Sequence, residues 1–275
     1  MKQLTTIYFL VLIIVSCKNP EKAYKPVEPK QIEFETKIPL DEALPDSNFY
    51  HIKFSFTAIA NYEDTEILEK VRQQLNRQFF NAEKLDFSTD VNENIQTLVK
   101  AITPAYREEC LNLKREMGDI VGSYTLNYEL IRSSKIIYNN NYFLSFEIES
   151  YVYAGGAHGL PNMKYLHFNM KTGDTVGIDD IFSPESKLKL SEILENKKNE
   201  MEANGINVFF DDARIEAIDN FYFKDNVLCF VYNPYEIGPF SSGFITIEVP
   251  ADEIKPLLLN ESPVSFLNSS VKTSK

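Results

Sequence analysis

Apolar and polar residues alternate with a period of two along much of the chain, and three stretches of helical period interrupt them. Ile52, Phe54, Phe56 and Ala58 fall on one face of the stretch from Phe49 to Ala60, and His51, Lys53, Ser55 and Thr57 on the other. This is the pattern of a half-buried strand. Glu63 and Asp64 then place negative charge where a helix begins, and Ile67, Leu68, Val71, Leu75 and Phe79 recur at helical spacing to about Phe80. A second helical region spans about Asn92 to Met117, with Ile95, Leu98, Val99 and Ile102 as its first apolar stripe. Pro104 is expected to break or kink it, because proline lacks the amide hydrogen and clashes with the preceding turn. Gly118 marks its end, and the charges between Arg107 and Arg115 read as a solvated face.

Strand signals follow. Tyr124, Leu126, Tyr128 and Leu130 alternate with polar residues, Asn139-Asn140-Asn141 signals a turn, and Tyr142 to Tyr153 reads as a long strand. Lys164 to Met170 reads as another, closed by a tight Lys171-Thr-Gly-Asp174 hairpin. Ser183-Pro184 opens a helix with an N-cap serine and a proline at the first helical position. Leu190, Ile193, Leu194 and Met201 form its inner face, and Gly205 ends it. Phe221 to Tyr232 reads as a hairpin bent at Lys224-Asp225-Asn226, Phe244 to Val249 as a strand, and Asp252 to Leu259 as a short helix.

This order predicts an α+β fold of two coupled lobes, each an antiparallel sheet with one or two helices packed on one face. The upstream lobe is expected over residues 46–132 and the downstream lobe over 133–259. Residues 17–45 carry Pro20, Pro26, Pro29, Pro39 and Pro45 among alternating charges and read as a flexible tether. Residues 260–275 read as a frayed tail.

The first residues add a location. Lys2 and then a mostly apolar run from Leu4 to Val15 have the size of a signal-peptide core and are too short to span a membrane. The run ends Ile14-Val15-Ser16-Cys17, which resembles a bacterial lipobox, so residues 1–16 are expected to be removed and Cys17 to be lipidated. The expected setting is the bacterial cell envelope, with Lys18 compatible with outer-membrane sorting.

Composition narrows the function. The chain has 275 residues, 44% of them hydrophobic, with 20 Phe, 15 Tyr and no Trp. The formal net charge is −12. That balance argues against nucleic-acid binding, which needs a basic footprint, and permits a cationic partner. The two remaining cysteines, Cys110 and Cys229, sit among apolar residues and read as buried thiols, although the compartment allows a disulfide.

Three motifs in order carry a family resemblance. They are Tyr153-Ala-Gly-Gly-Ala-His-Gly159, then Phe168-Asn-Met-Lys-Thr-Gly-Asp174 leading to Asp179-Asp-Ile-Phe182, then Asn233-Pro-Tyr-Glu-Ile-Gly-Pro-Phe240 with Gly243. Together they resemble the RsiV-like extracytoplasmic domain family, also found as the accessory region of the peptidoglycan deacetylase PdaC. The resemblance implies an α+β fold, an envelope location and a binding role, since the family's namesake is an anti-sigma factor whose external domain senses lysozyme. The chain shows neither a cytoplasmic sigma-binding segment nor the Asp-His-His arrangement of a deacetylase, so neither signalling nor deacetylation is expected. The expected function is a non-enzymatic, lipid-anchored binding module for a lysozyme-like protein or a peptidoglycan fragment.

His158 is the sharpest single residue. A catalytic base needs a nucleophile and an orienting carboxylate, and no Gly-x-Ser-x-Gly elbow or metal-ligand spacing accompanies it. No metal and no cofactor are expected. The enzymatic alternative is a wall-polymer hydrolase using His158 with Asp179 or Asp180; a third alternative is an envelope assembly factor. Gly155, Gly156 and Gly159 are expected to permit a tight reversal. The candidate binding residues are Tyr151, Tyr153, His158, Tyr235, Glu236 and Phe240, where the glycine turn meets the loop from Asn233 to Gly243.

Overall fold

The computed structural model describes residues 24–45, 47–82, 85–118, 122 and 126–268. The expected leader and the lipidation residue Cys17 lie outside the described residues. The fold is α+β, with two sheets and a helical layer on each. Strands β1 (Glu28–Pro39), β2 (Phe49–Asn61), β3 (Tyr128–Asn140), β4 (Phe143–Ala154), β5 (Leu160–Asn169) and β6 (Asp174–Thr175) form a six-stranded sheet in that order. Its neighbours are antiparallel except β2 and β3, which run parallel because helices α1 (Thr65–Phe80) and α2 (Val91–Met117) intervene as a crossover. Helix α3 (Pro184–Ala203) precedes a three-stranded antiparallel sheet of β7 (Phe221–Lys224), β8 (Val227–Tyr232) and β9 (Ile245–Pro250), and the short helix α4 (Ala251–Ile254) follows.

Local chemistry sets the element ends. The Asp64 carboxylate accepts hydrogen bonds from the Glu66 and Ile67 amides, and the Asp90 carboxylate does the same for Asn92 and Glu93 at the start of α2. Ser183 caps α3 through the Ser186 amide, with Pro184 at the first turn. Two hairpins turn on pairs of left-handed residues, Asn141 with Tyr142 and Asp225 with Asn226. Helix α2 runs through Pro104 without interruption. The proline is exposed, so the one carbonyl it frees can turn to water, and the Thr103 hydroxyl donates to Val99 O at 2.7 Å beside it.

Two cores meet across β4. Leu68, Val71, Leu75 and Phe79 of α1 and Ile95 and Leu98 of α2 cover Phe54, Phe56, Leu144 and Phe146 on one face of the large sheet. Phe143, one residue before Leu144, points to the opposite face and belongs to the second core. There Leu190 and Leu194 of α3 meet Phe230, Ile247 and Val249. A smaller cluster of Tyr106, Cys110, Leu126 and Tyr128 lies under the second half of α2. Cys110 and Cys229 are both buried free thiols.

Three expectations change. Residues 28–39, read as tether, form β1, whose Ile32, Phe34 and Ile38 alternate with charged residues and whose Phe34 ring lies 6.1 Å from Phe54. The prolines mask that alternation because they sit at the strand's two ends, where lost ladder bonds cost little. The large sheet also continues past the lobe boundary placed at residue 132, which falls inside β3. Hydrophobic period is local and does not report which strands pair. In the stretch read as a frayed tail, Ser262 and Val264 are buried and Phe266 stacks on Tyr138 at 5.3 Å.

Candidate functional site

The two lobes are joined by side chains, without a shared strand ladder. Beyond its short pairing with β6, the outer edge of β5 offers unpaired backbone groups, and asparagines take the place of a neighbouring strand. Asn220 Oδ1 accepts from the Tyr165 amide at 2.9 Å, while its Nδ2 donates to Met163 O at 3.0 Å and Val231 O at 2.8 Å. Asn233 Oδ1 accepts from the Met163 amide at 2.7 Å. Farther along β5, His167 is fully buried between the Phe143 and Phe221 rings, at centroid distances of 5.3 and 4.4 Å. Its Nε2 lies 2.8 Å from Phe221 O, a group that only accepts, so Nε2 carries the proton. Nδ1 then accepts from the Ser145 hydroxyl at 2.8 Å. Burial pushes the His167 pKa down to about 4, which keeps the ring neutral.

At the far end of this seam the glycine turn meets the Asn233–Gly243 loop. Gly155 and Gly156 have positive φ, and the Tyr153 hydroxyl closes the turn by donating to Gly156 O at 3.0 Å. Gly159 has a different reason to be glycine: a Cβ there would overlap the Tyr151 ring. His158 is exposed, and its Nδ1 donates to Gly159 O at 3.0 Å. The imidazole stacks on Phe240 at 3.9 Å with 19° between the planes, and the Tyr235 ring lies 5.8 Å from Phe240, tilted by 32°.

Tyr235 is the unusual member. It is 54% exposed and has φ +74°, a conformation that bulky side chains rarely adopt. Hydrogen bonds hold it there. The Tyr235 amide donates to Gly238 O, and the Glu236 amide donates to Asn233 O, each at 3.0 Å. The Glu236 carboxylate accepts from the Asn233 amide at 2.7 Å and lies 3.3 Å from Asn233 Nδ2. A Cβ on Gly238 would overlap Val208 O, so the loop is also wedged against its neighbour.

The structure therefore brings His158, Phe240 and Tyr235 together as one aromatic row. Tyr151 and Tyr153 support the turn beneath it, and Glu236 fixes the loop backbone. Asp179 pairs with Lys187, and Asp180 accepts from the Gly177 amide at 2.8 Å. His158 has no hydrogen bond to a carboxylate among the described residues. Among those residues, too, no three His, Cys, Asp or Glu side chains gather as metal ligands, and no helix is long and apolar enough to cross a membrane. Five surface hollows of about 280 to 750 Å³ are lined by other residues. The row is thus an exposed aromatic surface outside those hollows. Sequence reasoning missed Asn220 and His167, since a lone asparagine before a strand and an alternating histidine carry no distinguishing pattern.

A fold of this kind, two α+β lobes sewn along a strand edge, has relatives. Residues 45–161 match the family described as "Deacetylase PdaC", and residues 179–252 match the "Protein of unknown function (DUF3298)" family. The chain carries a PdaC-like region joined to a DUF3298 region. The first match runs through the glycine turn and the second contains the loop that meets it, so the aromatic row is assembled from both. Among solved structures, a DUF3298 family member from Bacteroides fragilis is similar with a TM-score of 0.79 and 19% identity, covering 90% of this chain and 100% of its own. A DUF3298 family protein from Pseudomonas aeruginosa has a TM-score of 0.60 and 12% identity, covering 86% of this chain and 96% of its own. No curated protein matches the sequence.

Proposed function

We propose that this protein is a non-enzymatic binding module of the bacterial envelope, anchored through a lipid on Cys17, and that its aromatic row takes a basic, lysozyme-like protein. One observation carries the reading. The loop holds a tyrosine in a left-handed backbone conformation, which costs on the order of 1–3 kcal/mol and still leaves Tyr235 54% exposed. A fold keeps such strain where the side chain serves something outside itself. Tyrosine beside phenylalanine suits a protein anchor, and both faces attract guanidinium groups. The net charge of −12 favours encounter with a cationic surface.

The test is Tyr235→Gly. Glycine accepts positive φ, so the loop keeps its path and thermal stability holds or rises. Binding to immobilised lysozymes, measured at low and moderate salt, is expected to fall by roughly tenfold or more, as for loss of an interface anchor. Equal binding by the variant and the unaltered protein, or no binding to any lysozyme tested, would overturn the proposal.

A further inference from the structure

A second feature lies at the other end of β4, about 30 Å from the aromatic row at a strand rise of roughly 3.3 Å per residue. There the two left-handed hairpin turns, one from each lobe, face each other across a cavity of about 750 Å³. A smaller hollow of about 280 Å³ adjoins it and shares Asn141 and Phe266. The lining of the larger cavity carries balanced charge. Lys224 and Lys255 stand against Asp225 and Asp252, with Lys255 Nζ 2.9 Å from Asp252 Oδ1, so the charges cancel. What remains is three amides, three aromatic rings and the aliphatic side chains of Ile137 and Leu267.

The amides are Asn140, Asn141 and Asn226, all exposed, and Asn140 Oδ1 already accepts from the Asn141 amide at 2.9 Å. The Asn226 side chain makes no hydrogen bond among the described residues, although its carbonyl accepts from the Ala251 amide at 2.7 Å. Asn141 Nδ2 donates to the Tyr138 hydroxyl at 2.9 Å, which leaves its side-chain oxygen available as an acceptor. The rings are Phe223, Tyr138 and Phe266, each half-buried, with Tyr138 and Phe266 stacked on each other at 5.3 Å and 17°. Phe223 is braced from behind by the fully buried Phe143, edge to face at 6.1 Å.

We infer that this cleft is a second binding site, for a neutral saccharide of one or two rings. Three features select that class. The Asn226 carboxamide offers a donor and an acceptor side by side, the spacing of neighbouring hydroxyls on a pyranose, with the Asn140 nitrogen and the Asn141 oxygen beside it. Half-buried aromatic surface suits the apolar C–H face of such a ring, while the absence of net charge in the larger cavity gives no reason for an anion or cation to enter. The volume suits a small ligand, and the adjoining hollow gives a second ring somewhere to go. Two of the amides stand on or beside residues whose left-handed backbone fixes them in place, so little ordering is left to lose on binding. The site shares no residue with the aromatic row, and either can fail without the other.

The test uses the whole protein labelled with ¹⁵N and titrated with cellobiose, maltose and N,N′-diacetylchitobiose, with sialyllactose as a charged control. At least one neutral disaccharide is expected to shift amide resonances confined to Asn140–Tyr142, Phe223–Asn226 and Ser265–Asn268. Asn226→Gly preserves the turn and removes the amide, and is expected to weaken that binding roughly tenfold. Tyr235→Gly is expected to leave it unchanged. The inference is overturned if no neutral sugar shifts these resonances, if sialyllactose shifts them equally, or if Asn226→Gly binds as the unaltered protein does.

Discussion

Protonating His167 should unfasten the two lobes, and the size of the effect follows from its surroundings. The neutral ring fills its site: Nε2–H donates to Phe221 O, Nδ1 accepts from Ser145, and two phenylalanines cover the faces. A second proton would put a charge in a fully buried site and turn Nδ1 into a donor aimed at a hydroxyl. Folded, the pKa lies at about 4; in the unfolded chain it returns to 6.5. Between those values the unfolded state binds the extra proton and the folded state does not, so stability rises with pH across that window. The contribution is complete above pH 6.5, falls by roughly 1.4 kcal/mol per pH unit below it, and levels off beneath about pH 4. The total is about 3 kcal/mol, a large share of the roughly 5–15 kcal/mol that holds a domain folded. Surface carboxylates titrate in the same range, so the comparison must be with His167→Gln, whose amide can reach the same partners and does not titrate. Urea unfolding followed by circular dichroism at about pH 7.5 and about pH 4.5 should show the unaltered protein losing about 2.5 kcal/mol more than the variant. Equal losses would mean that the imidazole is solvated in the native protein, and the latch reasoning would fall.

Three further outcomes follow from the same seam and cores. Asn220→Ala removes three hydrogen bonds between β5 and β8 and should lower stability by about 1–3 kcal/mol in urea unfolding, because the Tyr165 amide is left without its partner; a change within error would show that water replaces the side chain. Gly238→Ala drives a methyl group into Val208 O and to 2.6 Å from Ile245 Cδ1, so the melting temperature should fall by several degrees and lysozyme capture should fall with it. Cys110 and Cys229 are buried, and burial pushes both thiols up from their ordinary pKa. Neither should react with a thiol-specific dye until denaturant is added, and prompt labelling of the native protein would contradict the burial of that residue.

By itself the sequence determined most of the elements and the class of the fold. Helix starts at Asp64 and Ser183 and reversals at Asn141, Asp225 and Gly173 are written in capping and turn chemistry, which acts within a few residues. The α+β layering followed from the alternation of strand and helix periods, and the two motif regions pointed to the loops that meet. Pairing was decided by the tertiary structure. β1 joined a sheet from a stretch that its prolines disguised, and that sheet ran across the boundary the local pattern had drawn. The same holds for the seam. Nothing near Asn220 or His167 in the chain tells that one would finish a strand edge and the other sit between two rings, because their partners lie 11 to 57 residues away. Glu236 and Tyr153, chosen as surface contacts, proved to spend their polar groups on the backbone that holds Tyr235 and His158 in place. Residue type sets what a side chain can do; which of those things it does is fixed by the groups that folding brings within hydrogen-bond reach.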